Sequence, residues 1–108
     1  MAYAVVRDVA ASWEQYTRFA AAMSEPTPAG LILHVAGPTD EGFRIIDLWE
    51  NEQAWETFRR SRLEPAAASV PSFRPRSTFR DLRPANIVVG TGLGALSDAA
   101  SEPRKEGQ

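Results

Sequence analysis

The chain contains no cysteine, a single histidine and a single lysine in 108 residues. The missing cysteine excludes disulfides, thiol nucleophiles and thiolate metal sites. One imidazole, His34, is too few for a His-rich metal centre within one chain, so no metal site is expected. A net charge of −2 lacks the basic excess of a general nucleic-acid binder. No stretch approaches the roughly 18 consecutive apolar residues of a membrane span, so no membrane partner is expected. Met1 to Asp8 has no basic segment followed by a long apolar one, which gives no signal peptide and a cytoplasmic location as the expectation. The preference for arginine over the lone Lys105, with many alanines, points to a GC-rich bacterial genome. Large apolar residues are also nearly missing from Gly90 onward. Residues 91–108 therefore read as a disordered tail behind a domain of residues 1–90.

What is present is ordinary for one small globular domain, with 44% hydrophobic and 24% charged residues. The stretch Gly30–Glu50 organises it. Two apolar runs flank Gly37-Pro38-Thr39-Asp40-Glu41-Gly42, a cluster of turn residues, and together they predict a β-hairpin. Closing the loop by pairing Ala36 with Phe43 sets His34 opposite Ile45 and Ile32 opposite Asp47. A side-chain period of two then divides the hairpin. One face carries Leu31, Leu33, Val35, Ile46 and Leu48. The other carries Ile32, His34, Ala36, Phe43, Ile45, Asp47 and Trp49, an apolar wall holding two titratable groups.

Around the hairpin, Tyr3–Asp8 predicts a first strand. Ser12-Trp13-Glu14-Gln15 fits a capping box opening a helix, with Trp13, Tyr16, Phe19, Ala20 and Met23 on its packing stripe. Pro26, Pro28 and Gly30 end it. Asn51 caps a second helix that buries Ala54, Trp55, Phe58 and Leu63, and Pro65 ends or kinks it. Ser69–Pro84 reads as irregular and arginine-rich (Arg74, Arg76, Arg80, Arg83), with Ile87-Val88-Val89 as the last strand. The order β-α-β-β-α-β is the ferredoxin-like pattern, an α+β fold with an antiparallel four-stranded sheet and both helices on one face. Two helices cannot cover both faces of the hairpin. A second copy is the economical cover, so a homodimer closing into a barrel is expected, with Ile45 in its wall.

The hairpin and following helix, through HVAGPTDEG, Ile-Asp-Leu-Trp-Glu and a Glu-x-x-x-x-Phe spacing, resemble the dimeric α+β barrel proteins, which include the antibiotic biosynthesis monooxygenases. The resemblance implies a ligand between sheet and helices, and chemistry such as cofactor-free oxygenation, cyclisation, isomerisation, decarboxylation or haem degradation. Haem-degrading members use an axial histidine outside the hairpin, and this chain has none there.

The candidate catalytic pair is His34 with Asp47, an imidazole able to titrate near neutrality beside a carboxylate that orients it. Candidate ligand contacts are Ile32, Phe43, Ile45, Trp49 and Tyr3, the aromatics offering faces for an aromatic ligand. The function these imply is a small cofactor-independent enzyme of bacterial secondary metabolism. It would act on an apolar or aromatic, polyketide-like small molecule by acid/base chemistry of monooxygenase, cyclase or isomerase type. The alternative is a non-catalytic dimeric binding or scaffold protein with a packed lumen. Tyr16 reads as packing, and the arginine-rich segment as either a solubilising loop or a guide for an anionic substrate.

Overall fold

The structure, a computed structural model, describes residues 1–69, 76–92 and 94–95. Most of the expected tail, the packing role of the Met23 side chain and Arg74 fall outside the described residues. Four strands, β1 (Tyr3–Val9), β2 (Leu31–Thr39), β3 (Gly42–Trp49) and β4 (Ser77–Leu82), form one antiparallel sheet in the order β2-β3-β1-β4. Helix α1 (Trp13–Ser24) and helix α2 (Glu52–Phe58) lie on one face of it. This is the expected ferredoxin-like α+β arrangement. No described helix is long and apolar enough to cross a membrane.

Local chemistry explains the helix starts. Ser12 accepts from the Gln15 amide at 3.2 Å while Gln15 Oε1 accepts from the Ser12 amide at 3.0 Å, a reciprocal cap. Asn51 Oδ1 accepts from the Ala54 amide at 2.8 Å to start α2. After α2 the chain widens into a π-helical segment, Arg59–Leu63, and continues as α3 (Glu64–Ala68). Pro65 has no amide hydrogen to return to the preceding turn, and the Glu64 amide bonds instead to the Arg59 carbonyl five residues back. Arg59 also joins Glu56 and Glu64 across the segment. The helix is therefore redirected at Pro65 rather than ended.

Three expectations need correction. The hairpin turns at Asp40-Glu41, because β2 runs on through Gly37, Pro38 and Thr39, pairing Pro38 with Phe43 and Thr39 with Gly42. A proline is tolerated there because β2 is an edge strand. Gly42 has φ +153°, and a Cβ on it would meet the Val9 carbonyl oxygen at 2.0 Å, so only glycine fits. The final strand is Ser77–Leu82, not Ile87–Val89, which lie exposed outside the sheet. The charges of that segment find partners on neighbouring elements: Arg80 on Asp8, Asp81 on Tyr3, Arg83 on Glu52. Lastly, the face carrying Phe43, Ile45, Asp47 and Trp49 is the helix-covered one, and Ile45 is buried beneath α-helical cover rather than in an open wall. The open face carries Leu33, Val35, Ile46 and Leu82.

The core is Tyr3, Val5, Trp49, Trp55 and Phe58, with Leu31 against it. Trp49 lies 5.2 Å from Phe58 and 6.0 Å from Trp55, ring centre to ring centre, within the range of favourable aromatic contacts. Tyr3 gives its hydroxyl proton to Asp81 at 2.7 Å. Burial first, then that hydrogen bond, pushes the Tyr3 phenol up to about 12. The folded state thus holds this proton more tightly than the unfolded chain does. The stability it contributes is whole below the ordinary tyrosine value near 10.0 and drains away as pH rises through about 12. Unfolding midpoints measured across that alkaline window should fall steeply for the wild-type chain and more gently for Tyr3→Phe. Parallel curves would show that Tyr3 does not supply this linkage.

Candidate functional site

Four elements each deliver one polar side chain to the buried face of the sheet. The hairpin register sets His34 directly opposite Asp47. The Asp47 carboxylate, 1% exposed, accepts from His34 Nδ1 at 2.6 Å through Oδ1. Its Oδ2 accepts from Arg7 Nη2 at 3.4 Å, a longer contact from β1. On the far side of the imidazole, Nε2 meets the Tyr16 hydroxyl of α1 at 2.7 Å. The result is one continuous chain, Arg7–Asp47–His34–Tyr16.

Its polarity follows from the inventory of donors. A carboxylate that already receives a guanidinium proton can only accept, so His34 Nδ1 carries the hydrogen. In neutral His34, Nε2 is then an acceptor and takes the phenolic hydrogen of Tyr16. Burial, with the Asp47 charge second and Arg7 opposing, raises Tyr16 above the ordinary tyrosine value. Tyr16 is thus a protonated phenol at neutral pH, held by an imidazole that can receive its proton. Packing fixes the ring: it stacks on Trp13 at 4.5 Å and 10° and meets Phe43 edge-on at 5.3 Å. Burial also lowers Arg7, with Asp47 opposing the shift, and its guanidinium lies 5.4 Å over the Trp55 ring.

Two cavities adjoin this chain. The larger, about 520 Å³, is mainly apolar and is bordered by Val9, Phe43, Ile45, Leu63 and Phe79 together with Tyr16 and Arg7. The smaller, about 230 Å³, is bordered by Leu31, Trp49 and Phe58 together with His34 and Asp47. Tyr16 and Arg7 border both. The larger one falls within the usual size of small-molecule sites, roughly 300–1,000 Å³.

The structure brings His34 and Asp47 together. It sets Phe43 and Ile45 on the larger cavity and Trp49 on the smaller. Tyr3 and Ile32 border neither; Tyr3 belongs to the core. Ile32 is 53% exposed because the strand bulges between Leu31 and Leu33 and turns Leu31 inward in its place. Two residues of the polar chain escaped the sequence reading. Tyr16 was indistinguishable from a packing residue on the α1 stripe. Arg7 did leave a signal, since it shares the alternation Tyr3, Val5, Arg7 and so puts a charge on the buried face of β1.

The sequence matches no family model and no curated protein. Solved structures share the fold. SnoaB from Streptomyces nogalater, a cofactor-independent oxygenase, is 14% identical at a TM-score of 0.61, covering 81% of this chain and 96% of its own. Rv0793 from Mycobacterium tuberculosis is 15% identical at 0.62, covering 82% of this chain and 100% of its own. MhuD, solved as a variant with two manganese protoporphyrin IX bound per active site, is 14% identical at 0.61, covering 82% of this chain and 99% of its own. The chain therefore shares its fold with these proteins. A haem iron ligated by imidazole does not fit this chain. Its one histidine has Nδ1 on Asp47 and Nε2 on Tyr16, which leaves no nitrogen for a metal.

The two ends of the polar chain should differ in what their loss costs. Asp47→Ala leaves Arg7 buried without its counter-charge, and breaking a buried pair costs about 3–5 kcal/mol. His34→Ala removes one neutral link, worth about 1–3 kcal/mol. Denaturant midpoints should follow that order, Asp47→Ala well below His34→Ala. The reverse order would mean that Arg7 does not depend on Asp47.

Proposed function

We propose that this protein is a small cofactor-independent enzyme acting on an apolar or aromatic, polyketide-like small molecule by acid/base chemistry. One observation carries the reading: a continuous hydrogen-bonded chain that runs from the buried Arg7 and Asp47 through the partly exposed His34 to Tyr16, whose phenol borders a mainly apolar cavity of about 520 Å³. The resemblance in fold to a cofactor-independent oxygenase supports the same kind of chemistry.

In this reading Tyr16 is the group that touches the ligand. It draws an acidic C–H or O–H proton from the ligand as its own hydroxyl proton passes to His34 Nε2. The imidazolium so formed is stabilised by Asp47 through Nδ1–H, and Arg7 holds the other oxygen of that carboxylate. The ligand is left as a carbanion or enolate. Returning the proton at another carbon completes an isomerisation, and attack on an internal carbonyl completes a cyclisation. In the monooxygenase variant the carbanion of a CH2 carbon takes up dioxygen as co-substrate and the resulting hydroperoxide loses water, so that CH2 becomes C=O with one oxygen atom retained and the other leaving in water. The alternative, a scaffold protein with a packed interior, is less well supported, since the interior beside the polar chain holds a ligand-sized cavity.

A homodimer belongs to the same proposal, and its interface is the open face. Leu33, Val35, Ile46 and Leu82 form an apolar surface of the sheet, and Ile46 is 45% exposed. A self-complementary contact between two such faces would bury it.

Turnover of an aromatic ligand found by screening should fall about 100- to 10,000-fold in both Tyr16→Phe and His34→Ala, the range for losing a general acid or base. Wild-type turnover in both would remove the acid/base reading. Independently, Ile46→Glu should shift sedimentation from dimer to monomer while leaving the fold intact by circular dichroism, whereas a charge at Ile45 should unfold the chain. A wild-type monomer at micromolar concentration would remove the dimer.

A further inference from the structure

We propose that Arg7 is the ligand-recognition residue of the larger cavity, and that it selects a ligand whose apolar ring body carries one anionic oxygen. The inference rests on the cavity being a ligand site, as argued above, and names what that ligand must present.

A guanidinium has five N–H donors and no acceptor. Arg7 is only 4% exposed, yet the structure gives it one hydrogen bond, the long 3.4 Å contact to Asp47. Its Nε is buried with no acceptor among the described residues. The Trp55 ring beneath it offers a π-face but no oxygen. Asp47 is itself divided, and its short bond goes to His34. Buried donors in native proteins are nearly always satisfied, so a cation this poorly matched points to a partner that arrives from outside the chain.

The surroundings define that partner. The other two charged residues that border the larger cavity, Arg59 and Glu64, pair with each other. Among the described residues Arg7 has only the long 3.4 Å ion pair to Asp47, and it borders the cavity together with the apolar Val9, Phe43, Ile45, Leu63 and Phe79. A guanidinium fork matches the paired lone pairs of an enolate, phenolate or carboxylate oxygen better than any other side chain does. The ligand is therefore an apolar body with one such group.

The test uses two matched pairs on the full-length chain by titration calorimetry: lawsone, an enolate at neutral pH, against its methyl ether, and naphthoate against its methyl ester. In at least one pair the anion should bind about tenfold tighter or more, as a charge-assisted bond gives. Preference within the first pair assigns an enolate oxygen, and within the second a carboxylate. Arg7→Met should bring the ratio to about one, and Arg7→Lys should keep part of it. If Arg7→Met fails to fold, the wild-type chain still decides: affinity for the preferred anion must drop on acidification through the ligand's own titration while its neutral partner stays constant. Equal binding of anion and neutral partner in both pairs, or a ratio that survives in Arg7→Met, would overturn the role of Arg7 and leave the cavity reading standing. No binding of any of the four would overturn both.

Discussion

The carboxylate of Asp47 is the constraint that the rest of the structure serves. An ionised group at 1% exposure is tolerable only if positive or polar partners reach it from several directions. Here they come from both neighbours in the sheet: His34 across the hairpin and Arg7 from β1. Each partner in turn needs cover, which α1 supplies to the imidazole through Tyr16, and α2 to the guanidinium through Trp55. The polar centre thus ties together the sheet and both helices. A purely apolar residue at position 47 would leave Arg7 with no reason to be buried and His34 with no fixed tautomer.

Much of this was legible in the sequence, because alternation on β3 states it outright. Phe43, Ile45, Asp47 and Trp49 can only share a face, and an acid among three large apolar groups marks a buried charge. The helix starts were legible through Ser12–Gln15 and Asn51, whose caps involve residues only three apart. The register was not. Loop residues such as Gly37, Pro38 and Thr39 carry turn chemistry, yet an edge strand accepts them, and only tertiary context says which strand is the edge. The same applies to β4. Its Thr78, Arg80 and Asp81 look like loop residues until their partners on β1 are in place, whereas Ile87-Val88-Val89 has strand propensity but no strand beside it. Tyr16 was hidden for a plainer reason. A helix stripe shows which side chains face inward and not which of them meets an imidazole from another element.

Beyond the bulge at Ile32, the error of two residues in register preserved the faces and changed the chemistry. A shift by two keeps every side chain on its side of the sheet, so His34 and Asp47 remained on one face in either pairing. What changed was whether they meet. In the expected pairing His34 opposed Ile45, and an acid–base couple would have needed a diagonal reach. In the observed one the two residues are direct cross-strand neighbours, close enough for a 2.6 Å bond.

The bulge at Ile32 completes the arrangement. Leu31 must face inward to pack on the core beside Trp49, and His34 must face inward to reach Asp47. They stand three residues apart, and on a regular strand of period two such residues point to opposite faces. Their partners Trp49 and Asp47 stand two apart. Only one extra residue on β2 reconciles the two spacings, and that residue is Ile32. Its exposure is therefore not a failure of burial but the geometric consequence of seating Leu31 and His34 on the same side. The device also parts the two faces of the edge strand cleanly. Beyond the bulge, Leu33 and Val35 turn outward to join Ile46 on the open apolar surface, while His34 between them turns inward to the polar chain. A single inserted residue thus places the only imidazole of the molecule at its buried carboxylate, and it leaves the apolar surface around it continuous.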